Sequence, residues 1–489
     1  MEGQASRPKS TSIGLWAAMG LGMAVYLLAG GLEAAPRTVA AVFAAAVALW
    51  VTEALPLAIT ALLATVALVV SGALPARQAF SAYGDPIVLL FIGSFILAEA
   101  MHVSGLDRRL AYWLLRKRWP TRNASSLLLT LGGIACVISL FVSNTATTAM
   151  LLPIGLTTLR AMRVDQRDHP VANSMLLMLT WGSSIAVGTI VGTPPNVLGV
   201  GLIRQATGVS INFVEWAIFA MPITIALLLL AWFQLRRWKG PSPSTSEARD
   251  LATEEYERLG PMKPSERATM IAFSVALLLW IVPGLAEYTL GASAPLTKTL
   301  TSRLPEAVAA LIGAGLLFVL PCSDTESGRA ISWRQASGIE WGTILLFAGG
   351  LALGEATQAS GLAATVGHSV ARAFGATDVW AITALAIGLG IVVSELASNT
   401  AAANIVVPVA IALAIGAGVN PIPPALGATI GCNLGFMLPI STPPNAIIYS
   451  SGLVRPGVMM RTGLIFDVLG FAVTWLALRL ILPAMGLAD

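Results

Sequence analysis

Charge is scarce in this chain. Asp, Glu, Lys and Arg make up 11% of its 489 residues against 56% hydrophobic, and the mean hydropathy is +0.78. A soluble domain carries about 25% charged residues, so a soluble enzyme or binding module is excluded. Cysteine is rarer still: Cys136, Cys322 and Cys432 stand far apart without metal-ligand spacing, which rules out a zinc module or a disulfide framework and leaves packing as their role. His102, His169 and His368 have no partners at ligand spacing and read as loop or packing residues. There is no Gly-rich phosphate loop and no folded soluble domain, so ATP hydrolysis and an organic cofactor are not expected. The formal charge of +4 comes from basic residues in loops and does not point to nucleic acid.

What is present is apolar sequence in long runs, at about 13–31, 37–53, 57–72, 86–107, 214–235, 268–286, 304–321, 341–358 and 462–485. Roughly 17 to 25 such residues span a bilayer. The expectation is an all-α polytopic membrane protein, bathed in lipid. The first run has no small-residue cleavage site and reads as a retained helix, an extra span ahead of the repeats described below. Arg108, Arg109 and Arg116 to Arg122 precede residues 123–162, and Arg160, Arg163 and Arg167 lie at or after their end. Because short cytoplasmic loops carry the Lys and Arg excess, both flanks of that segment read as cytoplasmic, making it an inward-opening re-entrant hairpin. Its counterpart, 376–417, is flanked only by Arg372 and Asp378 and reads as opening outward. The same threading puts the N-terminus (1–12) inside and the C-terminus outside. Lys239 to Arg267, rich in Pro, Ser, Glu and Arg, reads as a cytoplasmic linker with a short surface helix near Glu254 to Arg258.

The chain carries its central motif twice, as Ser143-Asn144-Thr145 and Ser398-Asn399-Thr400, each followed by Thr-Pro-Pro-Asn at 193–196 and 442–445. The repeat extends to Phe91–Leu106 and Phe347–Leu362, which share Phe, Gly, Leu, Glu-Ala and Ser-Gly-Leu in register. Copies that face opposite sides form an inverted repeat, a plan that sets substrate and ions at the midplane. One copy of Ser-Asn-Thr would read as a helix cap; two matched copies read as a site. Half-helix N-termini favour anions and freed carbonyls favour cations, and proline frees carbonyls near Gly192 and Ser441. No Lys or Arg occurs in 123–159, 168–203 or 373–454, so a dianion bound there has no arginine clamp. Its desolvation, tens of kcal/mol for an isolated charge by Born estimates, calls for bound cations. Glu99 and Glu355 are repeat-equivalent and read as caps of the Ser-Gly-Leu break that follows each. Glu395, opposite Leu140 in the other copy, reads as paired within the bundle rather than as a proton carrier.

With Trp50-Val51-Thr52-Glu53-Ala54-Leu55-Pro56-Leu57 added, the sequence resembles the divalent-anion/sodium symporter family, the sodium-coupled dicarboxylate transporters, over nearly its whole length. The resemblance implies about 11 transmembrane helices plus two re-entrant hairpins, in a homodimer in the bacterial cytoplasmic membrane. Scaffold helices (13–122 and 268–372) would hold an elevator-type transport domain (123–238 and 373–489), whose helices break around 192–196 and 441–445. It also implies co-transported sodium. One sodium site would use Ser139, Ser143, Asn144 and the carbonyl of Gly192. The other would use Ser394, Asn399 and the carbonyls of Ala397 and Ser441. Substrate carboxylates would meet Asn144, Thr145, Asn399 and Thr400, with Thr193, Thr442 and Pro443 close by. Intact Ser-Asn-Thr in both halves suits a C4-dicarboxylate such as succinate, malate or fumarate. A sodium-independent dicarboxylate exchanger, a citrate carrier and a sulfate carrier are the alternatives within the family. An anion channel would need a continuous polar stripe where the sequence has islands, and an intramembrane hydrolase would need a His or acid at nucleophile spacing from Ser143 or Ser398.

Overall fold

The computed structural model describes residues 8–119, 121–237, 244–365 and 378–488. His368 and Arg372 lie outside the described residues. In chain order the helices are α1 (Pro8–Leu28), α2 (Ala34–Thr52), α3 (Leu57–Val70), α4 (Ala76–Ser81), α5 (Pro86–Ser104), α6 (Leu106–Leu115), α7 (Ala124–Ser139), α8 (Asn144–Ala161), α9 (Pro170–Ser184), α10 (Pro194–Thr207) and α11 (Phe213–Leu235). There follow α12 (Ser246–Arg258), α13 (Pro264–Leu290), α14 (Pro295–Arg303), α15 (Glu306–Val319), α16 (Trp333–Ala336), α17 (Trp341–Ala359), α18 (Val379–Leu396), α19 (Asn399–Ala417), α20 (Ile422–Gly431), α21 (Pro443–Ser450) and α22 (Pro456–Ile481). Among the described residues no strand forms; Pro321 and Arg329 make an isolated bridge. The protein is an all-α polytopic membrane protein. Among the described residues, seven helical segments are long and apolar enough to cross a bilayer, or eight if the pair α14–α15, bent by 59°, is one span. The expectation set α18 and α19 apart as the re-entrant hairpin 376–417, and counted among its spans α1 and α3, which are apolar but shorter, and α17, which falls outside the seven.

In lipid there is no hydrophobic gain from bringing helices together, so contact rests on small residues that let backbones approach. A Cβ added at Gly93 of α5 would sit 2.7 Å from the backbone of Ala310 in α15, and one at Gly349 of α17 would sit 2.9 Å from the Ala61 carbonyl of α3. Gly93→Val therefore has to push α5 off α15. Overpacking costs about 1–3 kcal/mol when side chains can yield, and here the obstacle is backbone. The expected result is a lower thermal midpoint in detergent and a smaller monodisperse fraction on size exclusion.

The matched positions Phe91 and Phe347 meet edge to face, ring centroids 5.1 Å apart, where α5 crosses α17. The shared capping role expected for Glu99 and Glu355 is not found. Gly105 and Gly361, at φ 80° and 75°, turn the chain at these breaks, a conformation open to glycine at no steric cost. Glu355 instead accepts from Gln78 Nε2 (2.6 Å) and Gln205 Nε2 (2.8 Å), whereas Glu99 lines a small cavity beside His102 and Ser143. The linker helix α12 is anchored by buried Arg109 of α6. Its guanidinium pairs with Glu266 at 2.9 Å and donates to the carbonyls of Leu259, Gly260 and Pro261 just beyond the helix.

Candidate functional site

The two Ser-Asn-Thr copies form the same local structure. Helices α7 and α8 meet at a turn over 140–143, and α18 and α19 meet at 397–398. Ser143 caps α8 by accepting from Ala146 N (3.4 Å), and Ser398 caps α19 by accepting from Ala401 N (3.3 Å). Behind each tip a serine buried at 0% exposure holds the asparagine. Ser139 Oγ donates to Asn144 Oδ1 at 2.7 Å and Ser394 Oγ to Asn399 Oδ1 at 2.8 Å. That leaves the Nδ2 groups of both asparagines, and the backbone N–H groups of the first two residues of α8 and of α19, available to the space in front.

The Thr-Pro-Pro-Asn copies also correspond. After α9 the chain unwinds from Ile185 and passes through a short 3-10 turn, Ile190–Gly192, before α10 starts on Pro194. After α20 it unwinds again before α21 starts on Pro443. The asparagine of each motif staples the unwound stretch. Asn196 Nδ2 donates to the carbonyls of Val187 (3.1 Å) and Thr189 (2.8 Å). Asn445 Nδ2 donates to those of Gly435 (3.2 Å) and Leu438 (3.0 Å). The halves are then stitched together, Thr180 Oγ1 to Asn445 Oδ1 at 2.8 Å and Asn433 Nδ2 to Asn196 Oδ1 at 3.2 Å. Gly192 lies where a Cβ would stand 2.4 Å from the Ala186 carbonyl and 3.2 Å from that of Leu140. No side chain is possible there.

All four motifs line one cavity of about 400 Å³. Ser143, Asn144, Thr145, Gly192, Thr193, Asn399, Thr400, Thr442 and Pro443 are on its wall. Ser139, Ser394, Ala397 and Ser441 are not; they are buried in a layer behind it. The N-termini of α8, α10, α19 and α21 therefore converge on a single space. Prolines occupy the first two positions of α10 and α21, so the N–H donors come from α8 and α19. Among the described residues that line the cavity, Glu340 bears the charge, and its carboxylate accepts from Ser143 Oγ and Thr343 Oγ1, each at 3.2 Å.

Glu395 is paired, as expected, but with the backbone. It accepts from Met437 N (2.7 Å), Leu438 N (3.0 Å) and Ser441 Oγ (2.5 Å), fixing the second unwound stretch from below. Asp467 of α22, itself buried, interacts with it through its side chain. All three cysteines are free and buried. His102 pairs with Asp107 at 3.2 Å and His169 caps α9. Among the described residues no cluster of His, Cys, Asp and Glu suits a metal ion. Sequence reasoning passed over several residues of the site. The staples Asn196 and Asn445 carried a usable signal, being matched in the repeat. Pro56 and Leu57 of the Trp50–Leu57 stretch, with Ala58 after them, also reach the wall, their turn held by Trp50 Nε1 on the Leu57 carbonyl at 3.2 Å. Glu340 and Asn433 occur once, and only the fold brings them here.

A family profile described as sodium:sulfate symporter transmembrane region matches residues 9–484, nearly the whole chain. This chain belongs to that family. It is a membrane transporter and not an enzyme. Two curated relatives are the sodium-dependent dicarboxylate transporters SdcS of Staphylococcus saprophyticus, 31% identical over 447 residues, and of Staphylococcus aureus USA300, 32% identical over 451 residues. Each alignment covers 89% of this chain and 84% of the relative. Two solved structures share the fold at 14% identity. The Alcanivorax borkumensis YdaH transporter has a TM-score of 0.55 over 83% of this chain and 87% of that one, and the Neisseria gonorrhoeae antimetabolite efflux pump MtrF has 0.53 over 84% and 85%.

Proposed function

We propose that this transporter is a sodium-coupled symporter of C4-dicarboxylates, succinate, malate and fumarate among them. The observation that carries this reading is the convergence of four helix N-termini, with paired Asn-Thr donors from both halves, on a cavity without Lys or Arg among its described lining residues. Two donor sets, one from each half of the chain, match an anion with two carboxylates better than a compact tetrahedral one such as sulfate, although the family profile carries sulfate in its description. Dipoles and amides offset part of the charge, and co-transported cations supply the rest. The relatives described as sodium-dependent dicarboxylate transporters support the same pairing.

Sodium would sit behind the tips. One ion uses Ser139, Ser143, Asn144 and the Gly192 carbonyl; the other uses Ser394, Asn399 and the carbonyls of Ala397 and Ser441. These side chains are neutral oxygens of the type a hard cation accepts, and Ala397 leaves the helix in an extended conformation that frees its carbonyl. The substrate meets Asn144, Thr145, Asn399 and Thr400, with Thr193, Thr442 and Pro443 at the flanks. We assign the hairpin-bearing segments to a transport domain that moves as an elevator against the scaffold of a homodimer, with the N-terminus cytoplasmic and the C-terminus outside. The test is uptake of radiolabelled succinate into proteoliposomes under an inward sodium gradient, under potassium alone, and under potassium with internal succinate. Uptake should require the sodium gradient. Uptake that ignores sodium and needs internal dicarboxylate would make the protein an exchanger and remove both sodium sites.

A further inference from the structure

One wall of the cavity carries a resident anion. Glu340 stands just ahead of α17 and is exposed at that wall, where its carboxylate accepts from Ser143 Oγ and from Thr343 Oγ1, each at 3.2 Å. Ser143 is the cap of α8, so the carboxylate is anchored at the helix end that also offers Asn144 and Thr145. An anion there already draws on the positive end of that helix. The other half of the cavity differs. Ser398 accepts from Ala401 N at 3.3 Å and, among the described residues, has no carboxylate partner. With Phe91 matched to Phe347, the repeat position of Glu340 is held by Gly84, so the asymmetry is written into the sequence.

Coulomb repulsion grows with the charge of the ligand, so a fixed carboxylate on the wall acts on valence. Among the described lining residues no Lys or Arg balances it. In a space of about 400 Å³ a further carboxylate stays within about a Debye length of Glu340, roughly 8–10 Å. The two donor sets provide for two carboxylates, and a third adds charge where the fixed charge is already negative. We infer that Glu340 is a specificity-determining residue that limits the substrate to two negative charges, admitting dicarboxylates and turning away tricarboxylates. This rests on the dicarboxylate reading above and sets citrate outside it. No contact between Glu340 and the substrate is required, because like-charge repulsion acts through space.

The experiment uses an isosteric pair built on succinate. Tricarballylate is succinate with an added carboxymethyl arm; in its carbamoylmethyl analogue that arm ends in a neutral amide. The two are of one size, and at mildly alkaline pH the first carries three charges and the second two. Both are measured as competitors of labelled succinate uptake in proteoliposomes at saturating sodium, and as stabilisers of the purified full-length protein in a thermal-shift titration, which needs no turnover. In the wild type the amide should act at roughly three- to tenfold lower concentration, the pairwise Coulomb value being discounted for the exposure of Glu340. Glu340→Gln keeps an oxygen to accept from Ser143 but loses the charge, and it should lower that ratio about threefold or more. Glu340→Asp should keep most of it. Added choline chloride should shrink the wild-type ratio and leave that of Glu340→Gln in place. Equal potency of the pair in the wild type, or a ratio unmoved in Glu340→Gln, overturns the inference. So does a Glu340→Gln variant that needs more sodium while the ratio stays, because the carboxylate would then serve the cation. If succinate is neither taken up nor stabilising, the dicarboxylate reading falls and this inference with it; succinate uptake with the ratio unmoved defeats this inference alone.

Discussion

Asn144→Ala and Asn399→Ala each abolish sodium-driven succinate uptake while the protein still reaches the membrane. Each asparagine accepts a buried serine hydroxyl through Oδ1, at 2.7 and 2.8 Å, and sits in the first turn of a helix aimed at the cavity. Alanine removes the amide donors facing the anion and the oxygen facing the cation together. A hydrogen bond to a charged group contributes about 1.5–3 kcal/mol, so loss of the anion contact alone lowers transport efficiency roughly 10- to 100-fold, and loss of the cation contact adds to it. Helix formation barely suffers, since Ser143 and Ser398 remain as caps. The check is initial uptake rate against surface expression, with sodium varied at fixed succinate. Normal uptake in either purified variant would remove that asparagine from the site.

Glu395→Ala should be the most damaging single change to the fold of the second half. Three donors end on this carboxylate, two of them backbone amides of the unwound stretch that carries Ser441 and Thr442. Leaving both buried amides without an acceptor costs roughly 2–6 kcal/mol, at about 1–3 for each. Relief of the desolvation of a buried acid offsets part of this, so the lower half of the range is the sounder expectation. Glu395→Gln keeps one carbonyl acceptor but turns an NH₂ toward donors, and it should fall between wild type and alanine. Thermal midpoints of the three purified proteins in detergent give the order directly. An alanine variant as stable as wild type would mean that the stretch is held by Asn445 and the Trp181, Phe436 and Phe466 ring cluster beneath it.

Much of the site was legible because the chain writes its motif twice. A single Ser-Asn-Thr reads as a cap, and the serines are in fact caps; the second copy is what marks the neighbouring Asn and Thr as more than capping residues. Matching in the repeat misled for Glu99 and Glu355. A matched repeat position says that two side chains face equivalent space, but Gln78 and Gln205 reach Glu355, whereas Glu99 lines a small cavity beside His102 and Ser143. Glu395 was read correctly as internally paired, but the partners could not be named, since backbone amides leave no trace in the residue types.

Hydropathy, the scarcity of charge and the repeated polar motifs determine by themselves that this chain lies in a membrane and places small polar groups and prolines at depth. Those are local properties, set by solvation and backbone stereochemistry. Only the tertiary structure decided that four helix ends share one cavity, that Ser139 and Ser394 stand behind it, and that Glu340 and Asn433 belong to its wall. Which atoms are left unpaired depends on what every neighbour has already bonded, and that is a property of the packed whole.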